Sequence, residues 1–172
     1  MNFHALISER ESIRSYDPER PIPEDILKKI LEAGRLAPSA ANRQPWEFLL
    51  VSSKEMLDKI RPCYEQRWFQ SAPHILIVKG SRKQAWTRST DGYNSLETDL
   101  TIAMDHMILA AEYEKIGTCW IAAFTPDILR AALNLKDNEE VFAITPLGYT
   151  PENFKKYRKK IRKPFEEVVK FI

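Results

Sequence analysis

The sequence is poor in glycine and cysteine, and each shortage excludes a class of site. The five glycines of its 172 residues never occur as G-x-G, so the chain carries neither the dinucleotide-binding turn nor the Walker phosphate loop. A phosphate would need other donors. The two cysteines, Cys63 and Cys119, are too few for a disulfide framework and lack C-x-x-C spacing, which favours free thiols in a reducing compartment.

Histidines and long apolar runs are also scarce. The three histidines, His4, His74 and His106, are scattered along the chain, and no pair has the spacing that places two ligands on one helix face, so we expect no metal site. No apolar run approaches the roughly 18–20 residues that cross a bilayer. The first residues also lack a basic stretch followed by an apolar core. We therefore expect a cytoplasmic protein with no membrane partner.

Charge is balanced overall but not along the chain. Lys and Arg number 26 against 24 Asp and Glu, for a net charge of +2, which is too small to imply a nucleic-acid partner by itself. The run from 155 to 163 is nevertheless almost wholly basic and is a candidate for a local anion site. A hydrophobic content of 44% and the chain length are typical of one globular domain, which we expect to span residues 1–172.

Helical and strand patterns are mixed throughout, which predicts an α+β fold. Two helices are expected near the start, where apolar residues recur at helical spacing around Leu6 and around Ile30. Further strands are predicted at 47–51, 74–78, 118–124 and 141–147, and further helices at 54–61, 96–114 and 127–133. The helix at 96–114 is apolar on more than one face and should be buried on several sides. The irregular interval 81–95 is the candidate for a mobile loop or lid.

Two short segments carry residue types suited to ligand binding. If residues 10–14 are extended, Arg10, Ser12 and Arg14 point to one side, and two guanidinium groups with a hydroxyl suit a phosphate dianion. A solvated helix end is the alternative. The segment 38–46 combines backbone-restricting prolines with Asn42 and Gln44, whose amides suit a heteroaromatic ring or a polyol. An ordinary turn before a strand is the alternative there.

With these segments in view, the sequence resembles the FMN-dependent nitroreductase family, and its smaller members in particular. The likeness spans the whole chain and rests on motifs in the family's order. They are R-x-S-x-R at 10–14, P-S-x-x-N-x-Q-P-W at 38–46, A-A-E-x-x-x-x-G-T-C-W-I at 110–121, P-L-G-Y at 146–149 and K-x-R-K-P at 160–164. Each motif is weak alone, and several in order are specific.

The resemblance implies a three-layer fold, with a central, mainly antiparallel sheet flanked by helices, in an intertwined homodimer that binds FMN at the subunit interface. It also implies the residues that bind this cofactor. Those implied for the phosphate and ribityl chain are Arg10, Ser12, Arg14, Lys160 and Arg162. Those implied for the loop that reaches the flavin of the partner subunit are Pro38, Ser39, Ala40 and Asn42, with Gln44 beside them.

The resemblance further implies that backbone N–H groups near Ala122 and Ala123 approach N5 and O4 of the flavin, so that no side chain need act as acid or base. The family commonly has glycine at one of these positions, and the extra Cβ atoms here would narrow the pocket. The implied reaction is ping-pong transfer of a hydride from NADH or NADPH, through the flavin, to an electron-poor acceptor such as a nitroaromatic or a quinone.

Two alternatives stay open from the sequence. Relatives of the family also perform dehalogenation, azoline oxidation and flavin fragmentation, and the sequence does not separate these reactions. In the second alternative the basic run at 155–163, with Tyr157 interleaved, is a nucleic-acid-binding arm. We expect the enzyme, with a small-molecule acceptor and no nucleic-acid partner.

Overall fold

A computed structural model describes residues 1–157 and 160–172 of the chain. The helices are α1 (Phe3–Glu9), α2 (Glu24–Arg35), α3 (Lys54–Ile60), α4 (Arg67–Gln70), α5 (Leu96–Tyr113), α6 (Pro126–Leu133) and α7 (Phe165–Val168). The strands are β1 (Trp46–Val51), β2 (His74–Ser81), β3 (Gly117–Thr118) and β4 (Glu139–Gly148), and short 3₁₀ turns cover Ala40–Asn42 and Arg61–Cys63. The predicted α+β class is confirmed.

The four strands form one sheet in the order β1-β2-β4-β3, and every neighbouring pair is antiparallel. Strand β2 lies inside the sheet and is buried over its whole length. The predicted strands at 47–51, 74–78 and 141–147 are confirmed and are each longer than predicted. A bulge between Val78 and Lys79 shifts the register against β4.

Helices cover both faces of this sheet, so the fold has three layers. Leu76 and Val78 of β2 point to the face covered by α2 and α5, whereas Ile75 and Ile77 point to the face covered by α3 and α6. This alternation follows from the two-residue period of a strand. A sheet buried on both faces needs apolar residues at consecutive positions, which explains the unbroken apolar run in β2.

Helix α5 is buried on several sides, as its apolar pattern predicts. It packs against α2 and against the sheet, and nine of its residues are buried. The helices approach closely at Gly34 of α2, where an added Cβ would lie 2.7 Å from Sδ of Met107. A larger residue at position 34 would therefore require the Met107 side chain to move.

The strand predicted at 118–124 is wrong in its extent. Regular pairing with β4 covers only Gly117 and Thr118, and one further bridge joins Ile121 to Ile144 through both backbone bonds. The next pair to exchange such bonds would be Cys119 and Pro146, but proline has no N–H to donate. The N–H of Cys119 donates instead to Oγ1 of Thr145, at 3.0 Å. The pairing of this segment with β4 is interrupted because Pro146, on β4, has no N–H to donate to the carbonyl of Cys119.

The interval 81–95 is a hydrogen-bonded turn rather than an unpaired loop. Arg88 donates its N–H to the carbonyl of Tyr93 at 2.8 Å, and Ser95 donates to Trp86 at 2.9 Å. Arg82 joins this segment to α5 through Glu97 and to β4 through Glu140. These contacts attach the segment to two neighbouring elements.

Candidate active site

The segment after α1 runs beside the short strand β3 and is extended. Ser12 forms a parallel bridge with Thr118, and Ile13 donates its N–H to the carbonyl of Thr118 at 2.7 Å. Ile13 is buried, whereas Ser12 and Arg14 on either side are exposed. The two-residue alternation expected at 10–14 is therefore present, and it directs Ser12 and Arg14 away from the core.

The three residues of this segment meet at the thiol of Cys119. Burial raises the pKa of Cys119, and Arg14, Ser12 and Arg10 each act in the opposite direction because they favour a negative charge at this position. All three side chains therefore lie close enough to Cys119 to act on its pKa. Burial also raises the pKa of Cys63, to about 11, so neither thiol is an activated nucleophile.

The C-terminal cations reach the same place from the opposite end of the chain. Lys160 donates from Nζ to the carbonyl of Ile7 at 2.8 Å. Its pKa is lowered by burial and by the nearby charges of Arg10 and Arg162, against the weaker opposing effects of Glu112 and Glu11. Arg10 thus acts on the pKa of both Cys119 and Lys160 and connects the two groups of residues. We call the set the cationic cluster, formed by Arg10, Ser12, Arg14, Lys160 and Arg162.

Within the described residues, the cations of this cluster are not paired with carboxylates. Among residues 1–157 and 160–172, none of its four cations forms an ion pair. Lys156 of the basic run differs from these cations, because it is paired with Glu112. Arg158 and Lys159 of that run lie outside the described residues. Uncompensated like charges held together are a feature of anion sites.

Two carboxylates dock the C-terminal segment, and its described residues 154–157 and 160–162 are here called the arm. Glu112, near the end of α5, is buried and pairs with Nζ of Lys156, which also approaches the carbonyl of Glu9 at 3.4 Å. The N–H of Tyr157 donates to the carboxylate of Glu11 at 3.1 Å. The arm therefore lies along α1, and this placement brings Lys160 and Arg162 to Arg10.

The loop at 38–44 lies apart from the cationic cluster, with no hydrogen bond or ion pair joining the two within the described part of the chain. Ala41, Asn42 and Gln44 have positive φ angles of 50°, 53° and 49°, a conformation that residues other than glycine rarely adopt. Inside the loop, the N–H of Gln44 donates to Oγ of Ser39 at 2.9 Å. The amide of Gln44 donates to Oδ1 of Asn42 at 3.1 Å.

The ends of this loop are attached to other elements. The N–H of Ala40 donates to Oδ1 of Asp99 on α5 at 2.8 Å, and the carbonyl of Pro45 accepts from Ser81 at 3.2 Å. Pro38, Asn42 and Gln44 are exposed. Gln44 also lines a polar cavity of about 370 Å³ beside Lys79, whose Nζ lies 2.8 Å from both Glu47 and Glu139.

Ala122 and Ala123 follow the last bridge to β4, where the chain leaves the sheet. Both are exposed, and their N–H groups donate to no acceptor among the described residues. The next anchored amide is that of Thr125, which donates to the carbonyl of Cys63 at 2.8 Å. Two neighbouring backbone donors therefore face outward about three residues beyond Cys119, roughly 10 Å along an extended chain.

Two residues important to this geometry escape the sequence analysis. Asp99 is buried in the first turn of α5, and Glu112 is buried near the end of the same helix. Carboxylates at core positions of an otherwise apolar helix are the signal that could have indicated them, since buried charges are rare unless paired. No group of His, Cys, Asp or Glu suited to a metal ion occurs in the part of the chain described. There, no helix is both long and apolar enough to span a membrane.

The comparisons with known proteins agree with this geometry. The model of the nitroreductase family matches residues 7–68 and 60–149, so the chain belongs to the nitroreductase family and is by class an oxidoreductase. An Archaeoglobus fulgidus protein, described as an NADH dehydrogenase/NAD(P)H nitroreductase, is 33% identical over 149 residues, which are 84% of this chain and 83% of that protein.

Solved structures extend the likeness to the fold. A nitroreductase family protein of Clostridium difficile 630 superposes with a TM-score of 0.91 at 32% identity, over 99% of this chain and 98% of that one. A nitroreductase of Desulfovibrio desulfuricans, solved in complex with FMN, superposes with a TM-score of 0.80 at 24% identity, over 98% of this chain and 96% of that one. The three-layer nitroreductase fold is therefore confirmed.

Proposed function

We propose that residues 1–172 form one FMN-binding domain that transfers a hydride from NADH or NADPH to an electron-poor acceptor, such as a nitroaromatic or a quinone. Family membership supports the reaction class, and the description of the Archaeoglobus relative supports the nicotinamide donor. The Desulfovibrio structure supports FMN as the cofactor. The cationic cluster is the observation in this chain that carries the proposal.

The residues of the cationic cluster fit a phosphate monoester. Burial lowers the pKa of Lys160, and the like charges of Arg10 and Arg162 lower it further; a bound dianion would relieve that repulsion. Guanidinium groups bind phosphate oxygens in pairs, and the exposed hydroxyl of Ser12 adds a neutral donor. Arg10, Lys160 and Arg162 would hold the phosphate, with Ser12 and Arg14 placed further along β3 toward the ribityl chain.

When bound, FMN supplies a ring nitrogen, N5, that accepts and returns a hydride. The outward N–H groups of Ala122 and Ala123 would donate to the polar edge of the ring, where negative charge develops. Backbone donors are fixed in position and carry no titratable proton, so this role requires no acidic or basic side chain. The Cβ atoms of the two alanines would limit how closely a ring can approach this strand end.

The reaction requires that donor and acceptor use one binding face in turn, which is a ping-pong scheme. The loop residues Pro38, Ser39, Ala40, Asn42 and Gln44 are proposed to cover the ring of a second copy, since no contact among the described residues places them beside their own cationic cluster. The site would then be complete only in a homodimer.

Two apolar surfaces support this homodimer. Phe3, Leu36 and Tyr113 are exposed around a groove of about 590 Å³ between α1, α2 and α5. After the arm, Phe165, Val168 and Phe171 are also exposed, and β1 is an edge strand with one side unpaired. Large apolar residues exposed in contiguous patches mark interaction surfaces. A second copy that receives the C-terminal residues would cover them, which is the intertwined arrangement.

The first experiment is the visible spectrum of the purified chain after addition of FMN and removal of the excess. We expect oxidised flavin bands that bleach under anaerobic NADH or NADPH. They should recover when menadione or nitrofurazone is added, and faster than with oxygen alone. A colourless protein that retains no FMN and binds RNA or DNA in a salt-dependent way would overturn the proposal. Light scattering should give twice the chain mass of 20.0 kDa, and a monomer that holds FMN would contradict the shared site.

A further inference from the structure

The carboxylate of Asp99 joins the long helix α5 to the loop at 38–44. Asp99 is 1% exposed. Its Oδ1 accepts the N–H of Ala40 at 2.8 Å, and its Oδ2 accepts the hydroxyl of Ser95, also at 2.8 Å. Each oxygen of the carboxylate therefore accepts one hydrogen bond, one from the start of the loop and one from the residue before α5.

A buried carboxylate at this position is costly unless its surroundings stabilise the charge. No cation pairs with Asp99 in the described residues, and the stabilising groups are the two hydrogen bonds and the N-terminal end of α5, where Asp99 lies in the first turn. An apolar residue would satisfy the packing of this helix equally well. The carboxylate is therefore explained by what it binds, which is the backbone of the loop.

The loop needs such an attachment because its backbone is strained. Three of its residues, Ala41, Asn42 and Gln44, lie in the left-handed region, and such conformations persist only where the surroundings determine them. Bonds inside the loop include those that Gln44 donates, from its N–H to Oγ of Ser39 and from its side-chain amide to Oδ1 of Asn42. Asp99 fixes the start of the loop to a rigid helix, and the contact of Pro45 with Ser81 fixes its end.

We propose that Asp99 is a positioning residue, which holds the loop at 38–44 in the conformation that binds the flavin of the partner subunit. This inference rests on the proposed function. It adds a residue from a different element, 59 positions away from Ala40 in sequence, to the determinants of flavin binding. Asp99 itself touches neither the proposed phosphate site nor the outward N–H groups of Ala122 and Ala123.

The test compares two substitutions at this position in the full-length chain. Asp99→Asn keeps Oδ1 as the acceptor for Ala40 and can donate to the hydroxyl of Ser95, so both bonds survive with one reversed. Asp99→Ala removes both. We expect Asp99→Ala to bind FMN at least tenfold more weakly and to shift the flavin absorption bands. Asp99→Asn should stay within twofold of the unmodified chain with unshifted bands. Asp105→Ala, an exposed aspartate of the same helix, is the matched control.

Hydrogen exchange of the FMN-free protein supplies the second readout. Asp99→Ala should raise amide exchange in residues 38–45 at least tenfold and leave β2 and β4 unchanged. If Asp99→Ala fails to fold, Ala40→Pro removes the same N–H donor without touching the carboxylate, and proline suits the first position of a helical turn. That variant should weaken FMN binding to a similar degree.

The outcomes separate this inference from the proposed function. An unmodified chain that binds no FMN overturns both. If the unmodified chain binds FMN and Asp99→Ala or Ala40→Pro binds it equally well, only the positioning role is overturned, even where loop exchange rises. Equal losses in Asp99→Ala and Asp99→Asn would also overturn it, because a hydrogen-bonding role requires rescue by the amide.

Discussion

The cationic cluster and the loop at 38–44 are both candidates for flavin contacts, but different forces hold them in place. The cationic cluster gathers Arg10, Lys160 and Arg162 against their mutual repulsion. The loop contributes only uncharged groups to its contacts and is held by hydrogen bonds, one of them to the carboxylate of Asp99, in a strained backbone conformation. The cationic cluster is therefore suited to bind a negative charge, and the loop is suited to fit the shape of a ligand. Binding at the cluster should respond to charge and salt, and binding at the loop to loss of its hydrogen bonds.

The largest effect is expected from loss of charge in the cationic cluster. Arg10→Ala removes a charge-assisted bond worth about 1.5–3 kcal/mol, so the affinity for FMN should fall about 10- to 150-fold. Fluorescence titration with FMN measures this directly. Lys83→Ala, at an exposed lysine outside both regions, controls for the change in net charge. An affinity unchanged in Arg10→Ala would remove Arg10 from the site.

A smaller effect is expected when the arm is released. Lys156→Ala leaves the buried carboxylate of Glu112 without its partner, and the arm that carries Lys160 and Arg162 should loosen. We expect FMN affinity to fall about fivefold, or roughly 1 kcal/mol, the upper end for a partly exposed ion pair. Lys155→Ala, the exposed neighbour, should bind FMN normally. Equal losses in both variants would mean that general charge, and not docking of the arm, controls binding.

The salt dependence of FMN binding distinguishes the cationic cluster from the loop at 38–44. Raising the ionic strength from 0.05 to 0.5 M shortens the screening length, and we expect about a threefold loss of FMN affinity in the unmodified chain. Arg10→Ala should flatten this dependence, whereas Asp99→Ala should shift the whole curve without changing its slope. Parallel slopes for all three proteins would contradict the division into a charged and a neutral region.

The smallest effect concerns acid and acts at the start of β2, away from both regions. In β2, His74 accepts the N–H of Ile22 at Nε2, at 3.3 Å, and pairs with Ser52 at Nδ1, at 2.7 Å. Burial lowers its pKa below the usual 6.5. The folded chain therefore takes up this proton less readily than the unfolded chain. The stabilising contribution is complete above about pH 6.5 and is lost as the pH falls through the lowered value.

Chemical unfolding at pH 7.5 and pH 5 measures this change. The free energy of unfolding should decrease by about 1 kcal/mol more in the unmodified chain than in His74→Gln, since protonation removes one acceptor for a buried N–H. The exposed His4 provides the control His4→Gln, which should follow the unmodified chain. An identical pH dependence in His74→Gln would assign the acid sensitivity to other groups.

Local sequence patterns predict the elements whose determinants lie within them. The apolar run of β2 and the many-sided apolar pattern of α5 are both visible in the chain. The extent of the strand predicted at 118–124 is not predictable from its own residues. Pro146 on β4 has no N–H for the carbonyl of Cys119, and this proline lies outside the segment. The alternation at 10–14 is local and was predicted, but the contacts of Asp99 and Glu112 join residues 59 and 44 positions apart.

The two buried carboxylates of α5 also constrain how this protein can diverge. Asp99 and Glu112 are thirteen positions apart, roughly 20 Å along a helix, and each carboxylate is engaged by a segment from elsewhere in the chain. A single insertion between them would turn one carboxylate by about 100° relative to the other, so one engagement would be broken. The part of α5 between Asp99 and Glu112 should therefore tolerate substitutions but not insertions or deletions.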